Sequence, residues 1–173
     1  GAYNPPFLRQ MFPRERLAMI TLAHRRMGFL VKKGNPNNLQ GIGDLTRSDI
    51  KFINRNSGSG TRVFLDSLLK KNAIQPESIR GYANQKNTHS EVAAEVAEGH
   101  ADVGVGLEAA AKAYNLDFYF LTLERYDLVV KAELFDQKPI RDLVAWLKKD
   151  DFRLVLNHLG GYEGRESGDV HWT

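Results

Sequence analysis

The residues of this chain best suited to chemistry stand together in Asn56-Ser57-Gly58-Ser59-Gly60-Thr61-Arg62. Ser57, Ser59 and Thr61 offer hydroxyl donors. Gly58 and Gly60 permit backbone conformations closed to other residues, and Arg62 adds a permanent positive charge. Just upstream, Ile50 to Asn54 is a short apolar run that reads as a strand. Downstream, Phe64, Leu65, Leu68 and Leu69 fall on one face of a helix. Strand, small-residue loop and helix in that order aim unpaired backbone N–H groups outward at the positive end of a helix dipole. An oxyanion is the natural occupant of such a place. The plainer account of the same residues is a helix cap, because Ser and Thr are the usual capping residues. The loop lacks the Gly-Lys-Ser/Thr ending of a nucleoside-triphosphate loop.

A second helix start follows at Thr88, with Glu91 three residues on, which is the spacing of a capping box. It brings Thr88 and His89 to another positive helix end. In α/β folds the loops after parallel strands share one sheet edge, so the 56–62 and 84–90 loops are expected to face one ligand. The rival signal is Gly104-Val105-Gly106-Leu107-Glu108-Ala109, a loose dinucleotide fingerprint with Glu124 near the usual place of a ribose-binding acid. Tight helix packing explains those glycines equally well. No catalytic constellation stands out. The five histidines show no metal-ligand spacing, and there is no nucleophile elbow. The expectation is a binding module, not an enzyme, with no metal and no cofactor of its own.

Around these loops the pattern alternates. Residues 1–13 are broken by prolines and read as irregular. Leu17 to Ala23 is apolar and fits strand or helix. Gly28 to Val31 reads as a strand, ended by Gly34-Asn35-Pro36, and a short helical turn is expected over Thr46 to Asp49. Further strands are expected at Ile79–Ala83, Ala101–Val105, Asp117–Leu123 and Leu128–Lys131, with helices at 88–99 and 107–114. Pro139 opens a helix whose inner face is Ile140, Leu143, Val144 and Leu147. The last helix is Phe152–Leu159, and Glu163 to Asp169 reads as loose. Strands alternating with helices mean an α/β fold with a mostly parallel sheet.

The totals exclude several classes. A net charge of +3 with scattered Lys and Arg suits an anionic ligand but lacks the clustered basic stripe of a nucleic-acid binder. With no cysteine there is no disulfide framework and no thiolate metal site. No apolar run is long enough to span a bilayer, and no signal-peptide pattern stands at the start.

Taken together, several segments resemble one family. They are Gly34-Asn35-Pro36, Phe52 to Arg55 with Ser57 to Arg62, Gly81-Tyr82, Thr88-His89, Gly99 to Gly104 and Glu124 to Leu128. The chain is similar to the periplasmic-binding-protein-like domain that binds molybdate or tungstate, from about Tyr3 to Tyr162. That domain occurs alone or fused to helix-turn-helix regulators or molybdopterin-biosynthesis proteins. The resemblance implies a type II fold of two α/β lobes with ligand in the cleft: 1–53 as the first lobe, 54–125 as the second, and 126–173 returning to the first. It implies that the first lobe lacks its N-terminal strand and helix. The implied ligand contacts are Ser57, Gly58, Ser59, Gly60, Thr61, Arg62, Thr88, His89 and Tyr126. The implied ligand is molybdate or tungstate, with phosphate or sulfate as chemical equivalents. Transporter subunits or a fused regulatory or biosynthetic domain would be partners. The compartment is extracytoplasmic for a transport receptor and cytoplasmic for a regulator. An effector or interaction domain of a regulator is the further alternative.

Overall fold

A computed structural model describes residues 4–173. They divide into two compact units: one runs up to Arg25 and resumes at Glu124–Thr173, the other is Arg26–Leu123. The first division falls inside a strand near residue 25, whereas the sequence placed it at 53/54. The cause is β1, Leu17–Val31, one strand of 15 residues that runs through both units. The sequence had split it in two because polar His24, Arg25 and Arg26 interrupt its apolar pattern. β5, Asp117–Lys131, is likewise continuous through the expected connector at Glu124 to Asp127.

Within the unit Arg26–Leu123, the strand order is β3-β2-β4-β1-β5. β2 is Phe52–Arg55, β3 is Gln85–Lys86 and β4 is Val103–Leu107. β2 pairs in parallel with both β3 and β4, but β1 runs antiparallel to β4, with Phe29 opposite Val105. The sheet is therefore mixed, not mostly parallel. Side chains alternate between its two faces, as the two-residue period of a strand requires. Phe29, Val31, Phe52, Val103 and Val105 pack with Leu65 and Leu69 of α2, Gly60–Lys71. On the other face Leu30 and Ile53 meet Val92, Ala93 and Val96 of α3, His89–Glu98, and Ala110 and Ala111 of α4, Glu108–Ala113. Gly99 ends α3 at φ +82°, a left-handed conformation suited to glycine.

The strand expected over Ile79–Ala83 is not formed. A 3-10 turn occupies Pro76–Ser78, and Gly81 takes φ +91° with its α-carbon against the Phe52 carbonyl. A side chain there would meet that oxygen at 2.2 Å. The segment instead makes separate bonds to β2, from Phe52 N–H to the Arg80 carbonyl at 2.8 Å and from Asn54 N–H to the Asn84 carbonyl at 2.9 Å. The expected turn before β2 lies earlier, over Ile42–Thr46.

In the other unit, β6 (Tyr162–Glu163) and β7 (Val170–Trp172) pair antiparallel with β1. They flank the segment Glu163 to Asp169 expected to be loose, of which only Glu163 is in a strand. Ile20 and Ala23 pack against Leu147, Phe152 and Leu156, with Ile140, Leu143 and Val144 alongside. These come from α6, Lys138–Leu147, and α7, Asp150–Leu159. A short helix α5, Ala132–Phe135, was not foreseen. α1, Asn4–Met11, replaces an expected irregular stretch; Pro5 and Pro6 sit in its first turn, where a helix has no use for their missing N–H groups.

Candidate oxyanion site

β2 and β3 end side by side, with Asn54 opposite Gln85 and Arg55 opposite Lys86. Each runs on into a loop and then a helix, so the N-termini of α2 and α3 emerge at the same sheet edge. The two loops are tied together. Asn56 N–H donates to the Lys86 carbonyl at 2.9 Å, and Ser57 N–H to Gln85 Oε1 at 3.1 Å. Arg55 Nη2 donates to the Asn87 carbonyl at 2.8 Å. The 56–62 and 84–90 loops, expected to face one ligand, are thus held side by side.

Ser59 caps α2: its Oγ accepts from Arg62 N–H at 3.2 Å, and its carbonyl accepts from Val63 N–H at 3.0 Å. Ser59 N–H itself closes a turn onto the Asn56 carbonyl. The N–H groups of Gly58, Gly60 and Thr61 have no acceptor among the described residues. Gly58 sits at φ +84°, which glycine reaches without steric cost. Gly58 and Gly60 are exposed, while Thr61 is buried. The cap and the donors coexist here. Ser59 Oγ accepts one backbone bond, and its O–H proton remains to be donated.

Other expected contacts are committed elsewhere in the chain. Arg62 Nε donates to Asp66 at 3.0 Å, its guanidinium lies 4.1 Å from the Tyr82 ring centre, and Tyr82 O–H donates to Asp66 at 2.5 Å. Burial, then the bond to Asp66, pushes the Tyr82 hydroxyl above its ordinary pKa. The positive charge of Arg62 is thus answered one helical turn along. Thr88 Oγ1 accepts from Glu91 N–H at 3.1 Å and donates to Glu91 Oε2 at 3.0 Å, closing the capping box. The Thr88 hydroxyl bond, then the Thr88 N–H, hold the Glu91 carboxyl below its ordinary range. His89 is half-buried, not solvated: a Cβ on Gly106 would lie 3.6 Å from its Nδ1. Tyr126 belongs to the other unit, where the Arg25 guanidinium covers its ring at 4.1 Å and pairs with Glu124 at 2.6 Å.

The dinucleotide fingerprint is overturned. Gly104 and Gly106 lie inside β4, and α4 begins only at Glu108. A Cβ on Gly104 would stand 2.4 Å from Val92 Cγ1, and one on Gly106 2.7 Å from Leu30 Cδ1. These glycines admit helix and strand side chains to the sheet, and Glu124 is paired with Arg25. Among the described residues no group of three His, Cys, Asp or Glu could hold a metal ion.

Three residues of the site escaped the sequence reading. Asn54 is buried; its Nδ2 donates to the Tyr82 carbonyl at 3.1 Å and its Oδ1 accepts from Arg55 N–H at 2.9 Å. Arg55 and Gln85 bridge the loops as described. The available signal was a polar pair, Asn54-Arg55, closing an otherwise apolar strand.

Two α/β units joined by long strands, with helix N-termini gathered where parallel strands end, define the class of solute-binding folds. The chain belongs to the periplasmic-binding-protein superfamily: the family model described as a PBP superfamily domain matches residues 1–148. It is 37% identical over 170 residues to the uncharacterized protein YvgK of Bacillus subtilis, covering 98% of this chain and 54% of that relative. The chain thus spans about half the length of YvgK. Among solved structures it is similar to the tungstate ABC transporter from Geobacter sulfurreducens, at TM-score 0.66 and 13% identity over 88% of this chain and 73% of that one. It is also similar to the substrate binding domain of a putative molybdenum ABC transporter from Clostridium difficile, at TM-score 0.62 and 16% identity over 84% and 66% of the chains. A mutant of ArgBP from T. maritima aligns at TM-score 0.58 and 18% identity over 87% and 63%. The likenesses extend to binding proteins for different solutes.

Proposed function

We propose that this chain is a receptor for a small tetrahedral oxyanion, molybdate or tungstate ahead of sulfate and phosphate. The observation that carries the reading is the set of three backbone N–H groups, on Gly58, Gly60 and Thr61, that have no acceptor among the described residues at the start of the 12-residue helix α2. Donors fixed by the fold and aimed at one helix end bind an oxyanion without the cost of ordering flexible side chains. The Ser59 and Ser57 hydroxyls extend the donor set, and the adjoining α3 N-terminus adds a second favourable dipole. The tungstate and molybdenum transporter proteins among the structural relatives support the choice of ligand. Arg62 and Thr88 act in this reading as supports of the two helix starts. The chain works by binding, not catalysis, and delivers its ligand state to a transporter subunit or to a fused regulatory or biosynthetic domain. A transport receptor would work outside the cytoplasm, a regulator within it.

The test is calorimetric titration of molybdate, tungstate, sulfate, phosphate and arginine into the 173-residue chain, with melting curves alongside. A ligand that binds only the folded state raises the melting temperature. Binding of tungstate or molybdate ahead of arginine is expected. Binding of arginine with none of the four oxyanions would overturn the proposal.

A further inference from the structure

We propose that Gln85 positions the oxyanion loop, and that an uncharged acceptor at this place is what keeps the loop open to an anion. This inference rests on the oxyanion reading of the same loop. Gln85 begins β3 and lies opposite Asn54 of β2. Two ties hold the start of the loop, and both come from β3. The Lys86 carbonyl accepts from Asn56 N–H at 2.9 Å, and Gln85 Oε1 accepts from Ser57 N–H at 3.1 Å. The first is main chain and survives a change of side chain. The second depends on the side chain of residue 85. An N–H can be met only by the oxygen arm of the carboxamide, so the bond fixes which way that group faces. Ser57 is followed directly by Gly58, the first of the three donors, at φ +84°, a conformation that glycine enters and leaves readily. Pinning the Ser57 N–H therefore limits how far the Gly58 peptide can turn. Stability alone gives weak reason for the contact. Gln85 is exposed, a fixed glutamine gives up much rotamer freedom, and a neutral hydrogen bond in water returns little. A carboxylate would accept the same N–H more strongly and would suit the two helix starts beside it. It would also set a negative charge one peptide away from the donors. Glutamine holds the loop without that charge.

The experiment measures the Kd of tungstate, molybdate and sulfate for the wild-type 173-residue chain, Gln85→Ala and Gln85→Glu, with circular dichroism and amide hydrogen exchange on each. Gln85→Ala keeps the main-chain tie, so it should fold and exchange the Ser57 amide faster. It should bind the anions about three- to tenfold more weakly, the scale of one neutral hydrogen bond. Gln85→Glu should keep the Ser57 amide as protected as in the wild type. It should still bind more than about tenfold more weakly at neutral pH, with the gap closing as salt is added. Sulfate remains a dianion in mild acid, so its titration is repeated as pH falls. Gln85→Glu should recover affinity for sulfate as its new carboxyl takes up a proton, at about pH 4, while Gln85→Ala keeps a constant deficit. Wild-type or tighter binding in Gln85→Ala would overturn the inference, because the freed Ser57 N–H would then serve the ligand directly. A Gln85→Glu deficit independent of pH and salt would show a misplaced loop and no effect of charge, and would also overturn it. In both cases the wild type still binds and the oxyanion reading stands. If one variant fails to fold, the other decides. Failure of the wild type to bind any of the three anions would overturn that reading and this inference together.

Discussion

Substituting Ser59 by Asp should separate stability from binding by giving them opposite signs. Ser59 does two things in the structure. Its Oγ accepts the Arg62 N–H at 3.2 Å and so caps α2, and in the proposed site its hydroxyl proton is donated to the ligand. Alanine removes both. The lost cap costs about 1 kcal/mol, and on a chain of this length that lowers the melting temperature by roughly 2–4 °C. The lost hydroxyl donor to a charged acceptor costs about 1.5–3 kcal/mol of affinity, roughly ten- to hundredfold in Kd. Aspartate keeps the cap, since it is as good an N-cap as serine. It also adds a negative charge at the positive helix end, worth about 0.3–1 kcal/mol in stability. The same carboxylate then occupies the place of the oxyanion and repels it. Ser59→Asp should therefore melt at or above the wild-type temperature while losing more than a hundredfold in affinity for molybdate and tungstate. Melting curves and titrations on Ser59→Ala, Ser59→Asp and wild type measure both quantities. A Ser59→Asp chain that melts normally and binds with wild-type affinity would refute the loop as the binding site.

Arg62→Ala should change affinity less than twofold. Its loss of the Asp66 pair and the Tyr82 stacking should lower stability by about 0.5–1 kcal/mol, read by denaturant unfolding with and without ligand. Gly104→Ala forces a methyl to within 2.4 Å of Val92 and should destabilise by about 1–3 kcal/mol. Titration of NAD into the wild type, giving no heat, completes the test against the nucleotide reading. The depressed Glu91 carboxyl contributes stability that is present above its ordinary pKa of 4.5 and is lost as pH falls through its lower folded value. The melting-temperature gap between wild type and Glu91→Gln should hold near pH 7 and narrow below about pH 4.5. A gap independent of pH would remove the capping box as its source.

Local signals carried much of this protein on their own. The Thr88–Glu91 box and the Gly99 stop depend on bonds within a few residues and appear as read, and α6 begins at Lys138, one residue before the expected Pro139. The apolar faces of α2, α3 and α6 follow from a period of 3.6 residues and needed no knowledge of their partners. The positive helix end at Ser57 to Thr61 was legible for the same reason. Other features were decided by residues far apart in the chain. β1 is continuous because it pairs along its length with β4, β6 and β7, segments the local pattern does not contain, which outweighs the polar residues at its middle, and β5 lies beside β1 in the same sheet. Residues 79–83 look like a strand, but their backbone is claimed by β2 and the positive-φ turn at Gly81. The glycines of β4 resemble a cofactor fingerprint until Val92 and Leu30 are seen filling the space beside them. Charge was the least legible of all. Arg62 lies within the motif, yet Asp66 and Tyr82 claim it. Arg55, hidden at a strand end, reaches Asn87 across 32 residues of sequence. A motif states which groups are near in sequence, but a guanidinium's partner is chosen by reach and burial, and only the folded chain sets those.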